Sequence, residues 1–406
     1  DSGFNIFYMG INIGAFICNF FAAYLRNSIG WGAAFASAGI GMFIGVIIFV
    51  IGRKTYKEAD VIKPVQKDDM SIAQVFSNII LPSLIAGIVG WYIPGTLLGS
   101  DSTDAFLFAC IPVLYFFYML YSKSNQEDKK PVGALLAIFL VSVMFWAVFK
   151  QNGTALTTWA QYYTDREVPT VIEKPAEAIY LVEKIKNETG EVVKYDKDFR
   201  VVKENGEVVN EIGKDVYLRN LQADKMPPEG ETLYVFNTEL FQSVNPFWVI
   251  FLTPVLVGLW GFLRARRKEP STPYKLLLGL LITALSCLVM YLAAAVTDIQ
   301  ISKASAWWLI STYGVITVGE LCLSPMGLSL VSKLSPPRLT ALLMGGWFLS
   351  TSIGNKLSGV LAGMWDLFDN KANFFLMNFG LVMIAFVVLF LMVKRIRKVM
   401  QERGIN

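Results

Sequence analysis

Apolar residues along the chain fall in blocks of roughly 18 to 30 positions separated by short polar stretches. Blocks of that length cross the hydrocarbon core of a bilayer as helices. The pattern predicts about ten spans, at roughly 4–25, 31–51, 74–96, 104–121, 133–162, 246–263, 273–294, 306–330, 339–365 and 372–393. One stretch breaks it: residues 163–243 are polar and charged. Within them GEVVKYDKDFRVVKENGEVVNE alternates apolar and polar positions around Asn205-Gly206, a favoured hairpin turn. The expectation is an all-α polytopic membrane protein with a small β-containing insertion outside the membrane.

Composition agrees with the pattern: 54% of the 406 residues are hydrophobic and 17% charged, against nearer a quarter charged in soluble proteins. The distribution of charge adds orientation. The connections at 52–73, 122–132, 264–275, 331–338 and 394–406 carry twenty Lys and Arg, and the short loops opposite carry three, Arg26, Lys303 and Lys371. The positive-inside rule places the basic loops, with both termini, in the cytoplasm. The chain opens on Asp1 and enters a span within a few residues, which predicts that an N-terminal portion is missing.

Chemistry is narrowed by what is scarce. There is no histidine, so proton chemistry rests on carboxylates. The four cysteines lie in apolar segments without metal-ligand spacing and read as small packing residues. The insertion shows no metal cluster, nucleophile constellation or glycine-rich phosphate loop. An enzyme is therefore disfavoured, and no cofactor or nucleic-acid partner is expected. The segments 74–96 and 104–121 hold no charge of their own beyond Asp101 and Asp104 in the connection, and read as a lipid-facing hairpin joining two bundles.

A charge at the centre of a span costs roughly 2.5–3.5 kcal/mol on insertion scales and so calls for a role. Glu320 in VITVGELCLSPMG is the foremost case, with Gly319 before it and Pro325, which permits a bend, after it. It reads as a binding or protonation site, against the alternative of a fixed internal ion pair. Lys150 in FWAVFKQNGT either snorkels to the outer face or serves the interior, and Lys356 in TSIGNKLSG either pairs with a carboxylate or does not. Asn12 and Asn245 are uncharged hydrogen-bonding groups for a cavity or a neighbouring helix. Trp146 and Trp347 lie too deep for an interface belt and suit a pocket wall, whereas Trp159 suits the interface.

Several of these stretches resemble the proton-dependent oligopeptide transporter (POT/PTR) family of the major facilitator superfamily. Phe7-Tyr8-Met9-Gly10-Ile11-Asn12-Ile13-Gly14 resembles its fifth helix, and Phe145-Trp146-Ala147 with Gln151 and Gly153 its seventh. Asn245-Pro246 is similar to the start of the eighth. Gly319-Glu320-Leu321 with Ser324-Pro325 is similar to the tenth, and Gly346-Trp347-Phe348 with Gly354-Asn355-Lys356 to the eleventh. The hairpin at 74–121 matches an extra helix pair found in bacterial members, while the insertion has no counterpart in the simplest ones.

The resemblance implies a major facilitator-like fold divided as follows. Residues 1–51 are the last two helices of an N-terminal bundle, and 52–132 a cytoplasmic linker with its hairpin. Residues 133–162 open the C-terminal bundle, 163–243 are the insertion, 244–393 the remaining five helices, and 394–406 a cytoplasmic tail. It implies that Glu320 binds a peptide amino terminus or a proton, aided by Asn12 and Asn245. Tyr8, Trp146, Gln151, Ser324 and Trp347 join the substrate site, and Phe348 and Lys356 the gates. The four preceding helices of the family, with their proton-coupling and carboxylate-binding residues, are absent from the chain, and Lys150 stands where many relatives carry an acid. The implied function is proton-coupled import of di- and tripeptides across the bacterial cytoplasmic membrane by a monomer. A carrier of another substrate, such as nitrate, or a non-transporting sensor is the alternative.

Overall fold

The computed structural model describes residues 2–57, 71–93, 95, 97 and 100–405. Linker residues 58–70, and positions 94 and 96 of the predicted 74–96 span, lie outside the described residues.

The apolar blocks are helices. A first pair, α1 (Ser2–Ser28) and α2 (Trp31–Ile51), turns at Gly30, whose φ of 125° suits a residue without a Cβ. A short α3 (Arg53–Tyr56) follows. Further on, α4 (Ile72–Val75), a π-helical turn (Phe76–Ile80) and α5 (Leu81–Tyr92) pack against α6 (Asp101–Lys123). Gly90 makes that contact close: a Cβ there would lie 2.7 Å from the Asp104 carbonyl oxygen. Asp101 and Asp104, expected in the connection, instead occupy the first turn of α6 behind the Ser100 cap. Carboxylates there complement the unpaired N–H groups of a helix start.

The predicted 133–162 span is a compound element. It begins at the Asn125 cap, runs as α7 (Gln126–Phe149), tightens to a 3₁₀ turn at Lys150–Gly153 and resumes as α8 (Ala155–Tyr162). The insertion carries α9 (Thr170–Ala178), and beyond it lie α10 (Val244–Ala265), α11 (Thr272–Val296), α12 (Ala306–Leu334), α13 (Thr340–Gly363) and α14 (Lys371–Glu402). Among the described residues nine helical stretches are long and apolar enough to span a membrane. The tenth predicted span, α13, forms as a helix, but its Gly, Ser and Thr content lowers its hydropathy. The stretch 394–402, expected in the tail, continues α14, because Ile396, Val399 and Met400 bury one face against the bundle.

The core lies among α7, α11, α12, α13 and α14, where Leu135, Phe145, Leu280, Leu309, Leu343 and Phe374 are fully enclosed. In contrast, α2 buries none of its residues. Cys110, Cys287 and Cys322 pack inside as expected, whereas Cys18 sits on an exposed face of α1.

The insertion is β-containing, as predicted. Strand β1 (Thr164–Asp165) pairs in parallel with β8 (Ala304–Ser305), from the connection between α11 and α12. Antiparallel pairs join β2 (Val182–Lys186) to β7 (Thr232–Phe236) and β3 (Gly190–Val193) to β6 (Asn210–Gly213). The pair β4 (Lys203–Glu204) and β5 (Glu207–Val208) is the hairpin expected at Asn205-Gly206, and both turn residues have positive φ, 51° and 87°.

Candidate functional site: a buried carboxylate between α1, α10 and α12

Helix α12 crosses α11 with glycine against glycine. A Cβ on Gly319 would meet Thr283 Oγ1 at 2.4 Å and the Gly279 carbonyl oxygen at 2.8 Å. With the Gly319 face committed to α11, the next residue points roughly 100° round the helix. That residue is Glu320, 3% exposed and directed at α1 and α10. Thr317 and Ser324, one turn either side on the same face, are buried with it. The helix continues through Pro325.

Two neutral donors hold the carboxylate. The Tyr8 hydroxyl, from α1, donates to Glu320 Oε1. Asn245 Nδ2, at the start of α10, donates to Oε2 at 2.9 Å and to Thr317 Oγ1 at 2.8 Å. Asn12 lies one turn from Tyr8 and is buried, but its amide donates to the Tyr8 carbonyl oxygen at 2.9 Å and steadies α1. Among the described residues Glu320 has no ion-pair partner, so the alternative of a fixed internal pair is not what the structure contains.

The other expected site residues divide. Lys150 sits in the 3₁₀ turn with its ammonium 5.8 Å from the Trp146 ring centroid and 5.7 Å from that of Phe149. Trp146 is buried against α13, where Gly354 leaves room for it: a Cβ there would lie 2.3 Å from Trp146 Cβ. Trp347 does the same between α13 and α12, its ring filling the space above Gly327. Gln151 is enclosed and spends its amide on the Ala147 and Ser358 carbonyls, at 3.4 and 3.3 Å, while accepting from Thr154. These three side chains are joints between helices in this conformation. Phe348 is 58% exposed, and Lys356 donates to Ser102 Oγ at the start of α6 at 3.3 Å.

Sequence reasoning missed a second constellation, at the insertion end. Arg26, at the last turn of α1, bonds Glu239 and lies 3.7 Å from Glu183 of β2, while Asn27 donates to the Tyr180 carbonyl at 2.8 Å. Lys303 is buried. It donates to Asn220 Oδ1 at 2.7 Å and the Tyr162 carbonyl at 2.9 Å, with the Tyr217 ring centroid 4.0 Å away. Burial, with the nearby Arg166 charge, brings the Lys303 ammonium down to about 7. Lys371, 1% exposed, pairs with Asp198 at 3.0 Å. The signal was present: these are the three basic residues of the short outer loops. They had been counted as charges and not asked for partners.

A polytopic helical membrane protein with a buried carboxylate, held across a seam between one helix pair and a larger bundle, is the class these features define. A family model described as POT family matches residues 1–182 and 218–382. The chain belongs to that family. The unmatched residues, 183–217, are the middle of the insertion. The chain is 26% identical to an uncharacterised transporter, YclF, of Bacillus subtilis, over 96% of this chain and 65% of that protein. It is 26% identical to the peptide transporter YePEPT of Yersinia enterocolitica, over 99% of this chain and 69% of that one. A solved structure of a POT family transporter bound to a thioalcohol-conjugated peptide superposes with a TM-score of 0.66 at 20% identity, covering 98% of this chain and 69% of the other. That likeness concerns the fold, the expected major facilitator-like helical bundles. The chain spans about two thirds of the length of these relatives.

Proposed function

We propose that these residues serve a proton-coupled symporter that brings di- and tripeptides across the cytoplasmic membrane by alternating access. The observation that carries the reading is Glu320: a carboxylate, enclosed within the spans, held by neutral donors from α1 and α10 and paired with no cation among the described residues. Its charge is balanced by a proton or by an incoming cation, and a peptide ammonium supplies the second. Exchange of one for the other at a single carboxylate links occupancy to protonation. Because Tyr8 and Asn245 stand on different helices, whichever cation arrives also alters the contact between α1 and the α10–α12 group.

In this reading 1–51 are the last helices of one bundle and 133–162 with 244–393 the other, with 52–132 as linker and hairpin. Both termini and the basic loops face the cytoplasm. Alternating access then separates and rejoins Trp146, Gln151 and Trp347, so the joints described above become pocket walls in another conformation. Ser324 belongs to the same site, and Phe348 and Lys356 to its gates. Membership of a transporter family supports the reading, as does the name of the Yersinia relative.

The test is uptake of labelled di-alanine into proteoliposomes carrying the complete gene product under an imposed pH gradient. Accumulation is expected in the wild type and its loss in Glu320→Gln, which keeps the size and one acceptor but cannot exchange a proton. Equal pH-driven uptake by the variant would sink the role of Glu320. Absence of uptake in both would sink the peptide substrate.

A further inference from the structure

A groove at the basic end, independent of what the protein carries, has the chemistry of a binding site. It lies between α6, α7 and α14, with a cavity volume of about 570 Å³. Its deeper walls are apolar: Gly133, Ala134 and Leu136 from α7, Met392 and Ile396 from α14. The Tyr121 ring closes one side, seated on Gly133, where a Cβ would come within 2.9 Å of it.

Its mouth is cationic. Lys129 and Lys130 stand in the opening turns of α7, and Arg395 and Lys398 project from α14. Lys130 is paired with Glu402 at 3.0 Å. The other nearby carboxylate of α7, Asp128, is engaged by Arg338 at 2.9 Å and Arg403 at 3.3 Å. Lys129 lies 5.4 Å from the Tyr121 ring centroid. Among the described residues Arg395, Lys398 and Lys129 have no carboxylate partner, so the mouth keeps an excess of positive charge.

The placement selects the occupant. Positions 133, 136 and 140 lie on one face of α7, and Leu140 at the far end is 69% exposed; on α14, beside Met392, Leu391 is 75% exposed. The apolar walls therefore run from the cationic mouth onto the surface that faces lipid tails. Cations at the membrane boundary over an apolar furrow fit a headgroup phosphate with its acyl chains below it. We infer that this groove binds an anionic phospholipid, its phosphate held by Lys129, Arg395 and Lys398 and its chains laid along α7 and α14. A free phosphate shares the headgroup chemistry but leaves the apolar walls unfilled.

The test counts bound lipid by native mass spectrometry on the complete gene product in neutral detergent, titrated with phosphatidylglycerol. Phosphatidylcholine of the same chains and inorganic phosphate form the other arms. One phosphatidylglycerol is expected to persist per chain, in preference to phosphatidylcholine. Arg395→Gln with Lys398→Gln weakens it by roughly 25-fold, about 5-fold per cation. Arg397→Gln, facing a different cavity across α14, leaves it unchanged. The site is overturned by equal binding of the two lipids, by full retention in the double variant, or by an equal loss in Arg397→Gln. Displacement of the lipid by inorganic phosphate would assign the cations to a soluble anion and overturn it equally.

Discussion

The two ends of this molecule use basic residues in opposite ways. At the basic end, cations such as Lys130, Arg395 and Lys398 stand in the open, and the Lys130–Glu402 pair has side chains 63% and 41% exposed. Even its best-ordered network is local: Arg264 and Lys275 bond Glu269 across one short turn and, with the Arg264 hydrogen bond foremost, hold its carboxyl at about 2. At the insertion end three cations suffice, and each is enclosed and tied to a group far away in sequence: Arg26 to Glu239, Lys303 to Asn220, Lys371 to Asp198. Charge at the first end orients the chain in the membrane. At the second it fastens one part of the protein to another. A count of charges sees only the first use.

The difference can be broken at its strongest point. Lys371→Met leaves the Asp198 side chain, 11% exposed, without its cation, and a buried charge stripped of its partner costs roughly 3–5 kcal/mol. The thermal midpoint of the detergent-solubilised protein should fall markedly, and adding Asp198→Asn should recover most of the loss. If the single variant melts like the wild type, the pair is not a fastening.

The next largest effect is a dependence on pH. Lys303 titrates near 7 when folded and near 10.5 otherwise. Between those values the unfolded chain holds a proton that the folded chain does not, so stability should rise with pH by up to about 1.4 kcal/mol per unit across that window. Melting midpoints at pH 7 and pH 9 measure it, and Lys303→Met should flatten the difference. The smallest effect lies at the basic end. A double-mutant cycle on Lys130 and Glu402 should return under about 1 kcal/mol and vanish in high salt; a value resembling that of Lys371 would erase the contrast between the ends.

The spans were legible because lipid imposes a length and a polarity on every helix that crosses it. Glu320 was legible for the same reason, as a charge that the rule forbids. Asn205-Gly206 was legible because its turn needs residues that accept positive φ. What could not be read has a common cause: it depends on partners distant in the chain. Nothing local says that Lys371 meets Asp198 or that Gln151 spends its amide on Ser358. The 3₁₀ turn at Lys150–Gly153 and the helical tail to Glu402 were hidden in a milder way, since hydropathy sets where a span leaves the membrane and not where its helix ends.

The parallel pairing of β1 with β8 also dictates an order of events during synthesis. Thr164 and Asp165 leave the ribosome about 140 residues before Ala304 and Ser305, which complete their ladder; at 5–20 residues per second the wait is roughly 7 to 28 s. Asp198 waits longer still for Lys371. The insertion is thus translated early and docked late, and its seating requires that α10 and α11 have already been threaded across the bilayer. A chain whose later helices fail to insert would leave these strands unpaired on the outer face, open to proteolysis, so the insertion registers whether the bundle beneath it has been completed.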